Sequence, residues 1–220
     1  MNKRIFLTIM ISIIFLILSS YSVAYDNKTT HKIITETSVP ESNLDAYLKQ
    51  QLRIANGYRE MIGGKQIIKW LSDGSYLEDV PNCRASNHFH NPLPMSYYDP
   101  AQASWSQSGV GDLPTVIDKW CWDWKPRYSN VTWATGYLEP SPSGSKASFP
   151  TGPPYAPVNW DKARYYYYKA LTLKTKTDRD IFFTWALKAV GQVMHLLEDI
   201  SVPAHVRNDF TSHLTEKDPA

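Results

Sequence analysis

The sequence lacks most of the features that usually announce a function. It has two cysteines in 220 residues, Cys83 and Cys121, too far apart to suggest a zinc knuckle. It has no excess of charge: 23 basic residues against 21 acidic ones leave a net charge of +2, which makes no electrostatic case for nucleic acid or an anionic membrane. It has no internal repeat, and after its first segment no second long apolar run. Histidine is scarce too. Of six in the chain, five are His31, His88, His90, His195 and His205, and every one of these falls in a segment that matters below.

The one apolar run lies at the start. Met1-Asn2-Lys3-Arg4 precedes a mostly apolar stretch over 5–18, and Ser22-Val23-Ala24 supplies the small residues of a cleavage site. The stretch is shorter than the roughly 20 residues that a bilayer demands. A signal peptide over 1–24 is expected, cleaved after Ala24, so that the mature chain begins at Tyr25. No cysteine follows at a lipid-attachment position. The protein is therefore expected to be secreted or periplasmic, with one domain over 25–220, no transmembrane span in the mature chain and no stable protein partner implied. In an oxidising compartment Cys83 and Cys121 would be expected to pair.

Periodicity predicts helices over most of what remains. A first runs over 27–40, with Thr29 or Thr30 as cap and Ile33, Ile34 and Val39 as its apolar residues. Others are expected over 44–55 and 64–71, after which Asp73-Gly74 breaks the pattern. From 75 to 155 the period fades, and Trp105, Trp120, Trp122, Trp124 and Trp133 crowd a long aromatic-rich insertion of the kind that is usually functional. Helices return over 159–173, and from a cap at Thr177 or Asp178 to about 200, before Pro203. The fold class is all-α, a multi-helix domain interrupted by that irregular insertion.

In the helix over 180–200, Ile181, Phe182, Trp185, Leu187, Val190, Val193, Met194, Leu196 and Leu197 cover most of the surface, which predicts a central element. His195 and Asp199 stand four apart on one face of it, with Gly191 one turn earlier. A buried carboxylate costs several kcal/mol unless it is paired or coordinates a metal. On its own the pair is equally a hydrogen-bonded His-Asp couple inside a core helix. A di-iron bundle would need Glu-x-x-His pairs on two helices, and here the order is His195-Leu196-Leu197-Glu198, the reverse.

The wider segment is more specific. From Gly191 through His195, Asp199 and Pro203 to His205 it reads G-x-x-x-H-x-x-x-D-x-x-x-P-x-H, and on this stretch the chain resembles the zinc-dependent phospholipase C family and the related zinc-dependent single-strand nucleases. Thr30-His31-Lys32-Ile33-Ile34 is similar to the family's first helical zinc ligand. Gly74-Ser75-Tyr76-Leu77-Glu78-Asp79 resembles a G-x-Y-x-x-D segment, and Asn87-His88-Phe89 an S-H-F segment carrying another histidine ligand. His90 competes with His88, but only His88 has the Phe in register.

The resemblance implies a zinc ion held by His88, His195 and Asp199, a second held by His31 and Asp199, and a third to which His205 belongs. It implies that Asp79 orients or deprotonates a zinc-activated water, and that the substrate is a phosphodiester, either phospholipid or single-stranded nucleic acid. Two departures accompany it. Tyr25 stands where the family has a chelating N-terminal Trp, and the His-x-x-x-Glu pair that completes the third zinc is not found, since Lys217 follows His213. A C-terminally shortened copy is the expectation. Lys119, Lys125 and Arg127 interleave with the tryptophans, a mildly nuclease-like pattern that a solvated loop explains as well. The alternative function is an exported, non-catalytic helical protein with a structural or degenerate zinc site.

Overall fold

The structure, a computed structural model, describes residues 29–90, 128–136 and 157–206. The expected leader over 1–24, Tyr25, Trp105, Trp120, Trp122, Trp124, Lys119, Lys125, Arg127 and His213 all lie outside the described residues. Those described are mostly helical: α1 (Thr30–Glu41), α2 (Leu44–Gln50), α3 (Ile67–Leu77), α4 (Asn130–Thr135), α5 (Trp160–Thr172), α6 (Lys176–Asp199) and α7 (Pro203–Val206). The strands among them are a two-residue antiparallel pair, β1 (Met61–Ile62) and β2 (Lys65–Gln66). No helix among the described residues is long and apolar enough to cross a membrane.

Local chemistry sets the helix ends. Asn159 caps α5 by accepting from the Lys162 amide, and Thr175 caps α6 by accepting from the Asp178 amide while its hydroxyl donates to the Asp178 carboxylate at 2.6 Å. The cap of α6 is thus Thr175, earlier than the expected Thr177 or Asp178. Thr29 holds the N-cap position of α1, without a capping hydrogen bond from its side chain.

The middle helices differ from expectation for reasons of backbone conformation. The second ends at Gln50, not near 55, and the chain leaves through Arg53 at φ 57° and a 3-10 turn over Gly57–Arg59. The third starts at Ile67, because Gly63 and Gly64 turn the β1–β2 hairpin immediately before it. The Trp70 indole donates to the Ile62 carbonyl at 2.7 Å and ties that hairpin to α3.

Asp73-Gly74 does not break α3, which continues to Leu77. Gly74 is there for close approach. A Cβ on it would lie 2.2 Å from the Lys188 carbonyl oxygen, and a Cβ on Gly191 would lie 2.0 Å from that of Leu71. The two glycines therefore let the backbones of α3 and α6 touch, each glycine facing the other helix's carbonyl one turn away.

Helix α6 is central as expected, packed along α3 and α5 and reaching α1 and α4. It is not apolar all round in its setting, because Ile181, Trp185 and Leu197 stay exposed. Its buried row is instead small or polar: Thr184, Ala186, Ala189, Gly191, Gln192, His195 and Asp199, with Leu187 and Leu196. The main core gathers Val39, Leu48, Tyr58, Ile67, Ile68, Leu71 and Leu187. Helix α1 corrects a second expectation. Ile33 and Ile34 are exposed, while His31, Thr35 and Val39 face inward, since α1 docks on polar groups of α3 and α6 and its inward row matches them.

Gly191→Ala is expected to destabilise the protein by about 2 kcal/mol by overpacking the α3–α6 contact, although alanine is the better helix former by about 1 kcal/mol. Urea denaturation checks the sign; a neutral or stabilising result would contradict the contact.

Candidate metal centre

Helices α3 and α6 end at the same place, and α1 begins there. Carbonyl-rich helix C-termini favour positive charge. On the last turns of α6, His195 Nε2 lies 3.1 Å from Asp199 Oδ2, as the four-residue spacing predicts. His195 Nδ1 stands 2.8 Å from the Ser75 carbonyl of α3. A carbonyl only accepts, so the ring donates from Nδ1 and turns Nε2 toward Asp199.

From α1, His31 Nε2 reaches to 3.5 Å of Asp199 Oδ1, and its ring stacks on that of His195 with centroids 3.7 Å apart. His88 follows the 3-10 turn Asn82–Asn87 and brings Nδ1 to 2.7 Å from Asp199 Oδ2 and 3.3 Å from His195 Nε2. Its backbone is anchored by the Asn130 amide group of α4, which donates to the carbonyls of His88 at 3.0 Å and Leu196 at 2.9 Å. Asp79 Oδ1, just beyond α3, lies 3.7 Å from His88 Nδ1 and 3.8 Å from His195 Nε2. His205 on α7 brings Nδ1 to 3.6 Å from Asp199 Oδ2 and leans on Phe89.

The six residues singled out from the sequence thus come together, four imidazoles around the Asp199 carboxylate and Asp79 against two of those rings. Two overlapping groups have donor atoms within 4.8 Å of one another, His31 with His195 and Asp199, and Asp79 with His88 and His195. Either can hold a metal ion. A further observation fits that use: Asp199 Oδ2 is buried and makes no hydrogen bond of good geometry, although three imidazole nitrogens surround it. His90 is buried nearby and donates its amide to the His205 carbonyl at 3.0 Å, but its ring is in neither group.

The charges answer to Asp199. Burial works against a proton on His88, but the Asp199 carboxylate, with Glu78 and Asp79 adding to it, pushes the ring up to about 10. His195 is raised against the same burial by Asp199. Asp199 in turn is held well below the usual carboxylate range, despite burial, by His195 and His88. The Asp199 carboxylate thus favours positive charge on the His88 and His195 rings, the charge that a bound cation would bring instead.

Sequence reasoning missed the groups behind this cluster. Glu78 is fully buried and accepts from Arg84 Nη2 at 2.7 Å, Trp133 Nε1 at 2.6 Å and Gln192 Nε2 at 2.8 Å. Trp133, grouped above with the aromatic insertion, is therefore part of the interior. Glu198 stands 2.7 Å from His31 Nδ1. The only signal for these two acids was that each precedes an aspartate in a Glu-Asp pair; nothing local marked Asn130, Trp133 or Gln192, whose partners lie far along the chain. Cys83 is disulfide-bonded, and the chain's other cysteine, Cys121, lies outside the described residues.

The chain matches no protein-family model, no curated protein and no solved structure.

Burial pushes Glu78 up, but the Arg84 guanidinium and His88 outweigh it and hold the carboxyl at about 2, against an ordinary 4.5. A depressed carboxyl stabilises the fold above its ordinary value and loses that contribution as pH falls toward the folded one, here between 4.5 and about 2. Glu78→Gln should cost about 3 kcal/mol at neutral pH, with the deficit shrinking across that window. Denaturation of both proteins over a pH series reads the difference, and a deficit independent of pH would count against it.

Proposed function

We propose that this chain is an exported zinc-dependent phosphodiester hydrolase of the phospholipase C and single-strand nuclease type, acting on phospholipid or single-stranded nucleic acid. The observation that carries the reading is the convergence of His31, His88, His195 and His205 on the buried Asp199 carboxylate, with Asp79 against the rings of His88 and His195. Imidazole and carboxylate donors without a thiolate suit zinc.

His88, His195 and Asp199 would hold one ion, and His31 with Asp199 its neighbour. Zinc bound there supplies Lewis acidity, lowering the pKa of water toward neutrality and offsetting charge on phosphoryl oxygens. The protein's own task is to hold donors and manage a proton. His195 is kept in one tautomer by the Ser75 carbonyl, and Asn130 fixes the backbone of His88. Asp79 is more exposed than Asp199, 14% against 3%, so it borders the accessible side of the cluster. A carboxylate at that edge can orient the attacking water and take its proton.

The purified protein should contain zinc and hydrolyse bis(p-nitrophenyl) phosphate, and a chelator should abolish the activity. Asp199→Asn should lose both metal and turnover. Asp79→Asn should keep the ion held by His31 and Asp199 while kcat falls by about 10²-fold or more. Zinc retained without any phosphodiesterase activity would turn the reading to a structural zinc site, and absence of both would sink it.

A further inference from the structure

We propose that Glu198 is a positioning residue, which with Thr35 locks the His31 ring so that its Nε2 is presented to an ion shared with Asp199; this rests on the metal reading above. His31 Nδ1 is 2.7 Å from Glu198 Oε2. An ionised carboxylate only accepts, so the Nδ1 atom carries the proton. In the neutral ring the lone pair then belongs to Nε2, the atom that faces Asp199 at 3.5 Å.

Glu198 is itself held. The Thr35 hydroxyl donates to its other oxygen at 3.3 Å, and Thr35 stands four residues after His31 on the same face of α1. Helix α1 therefore grips the carboxylate at both oxygens, and Thr35 is completely buried in doing so. The His31 ring cannot swing freely about this contact, because its face lies against His195.

The same device appears beside it in a weaker form. His195 is oriented through Nδ1 by a neutral carbonyl, that of Ser75, whereas His31 is oriented by a charged group. A carboxylate behind an imidazole fixes the ring and also raises the basicity of its other nitrogen. Because Glu198 and Asp199 are adjacent at the end of α6, one helix terminus supplies both a donor to the ion and the support of a second donor.

Carboxylates in this position are typically worth about 10–100-fold in metal affinity. The test is Co²⁺ titration of the full-length, metal-free protein, comparing wild type, Glu198→Gln and Glu198→Ala, with thermal melting of each. Wild type should take up two ions. Glu198→Ala should weaken one of them by about 10–100-fold and leave the other unchanged. Glu198→Gln should fall between, since an amide oxygen still accepts from Nδ1 but carries no charge; being nearly isosteric, it carries the test if Glu198→Ala does not fold. Variants that melt lower yet bind both ions with wild-type affinity would show that Glu198 only staples α1 to α6, and would overturn the proposal. A wild type that binds no Co²⁺ would remove the metal reading and this inference together, an outcome distinct from the last.

Discussion

A carboxylate taken out of water must be given its charge balance back, and the arrangement of this protein follows from doing that for Asp199. The side chain is almost wholly buried at the end of α6, the longest helix among the described residues. Uncompensated, it would cost several kcal/mol, a large share of the stability of a domain this size. Imidazoles from α1, α6, α7 and the turn after α3 are drawn to it from positions as distant in sequence as His31 and His205. The helices are in effect a frame for bringing those rings to one oxygen atom or its neighbour.

A second buried acid is treated differently. Glu78 is balanced at once by the Arg84 guanidinium and saturated by Trp133 and Gln192. Its partners make good hydrogen bonds, whereas Asp199 Oδ2 has nitrogens at hydrogen-bonding distance and no bond of good geometry. The contrast separates a closed structural ion pair from an open set of donors. The first carries fixed protein charge. The second is a set of donors that could hold a cation.

The heart of the centre was legible in the sequence, because helical periodicity turns a spacing of four into a shared face, while His31, Asp79 and His88 were reached only through the family resemblance. His195 and Asp199 could be paired for that reason, and His205 follows a proline that must end the helix. What periodicity misread was the orientation of α1, where Ile33 and Ile34 mimic an inward stripe. Burial there is decided by what α1 meets, namely polar groups that His31 and Thr35 satisfy. Gly74 misled in the same way. A lone glycine reads as a break, but between two touching backbones it is the residue that permits a continuous helix. Asn130 and Trp133 left no trace at all, since a hydrogen bond across tens of residues has no local pattern.

At the seam formed by Gly74 and Gly191 the nearest atoms across the contact are backbone. There are no rotamers to hop and no methyl groups to trim, so the separation of α3 and α6 has no soft coordinate at this point. The exposed apolar side chains of α6, Ile181, Trp185 and Leu197, are not among the atoms nearest that seam. Substitutions at exposed positions such as Ile181 and Leu197 are free to change solubility or stability while the spacing of the inner donors stays put. Surface drift and site geometry are, in this fold, separate variables.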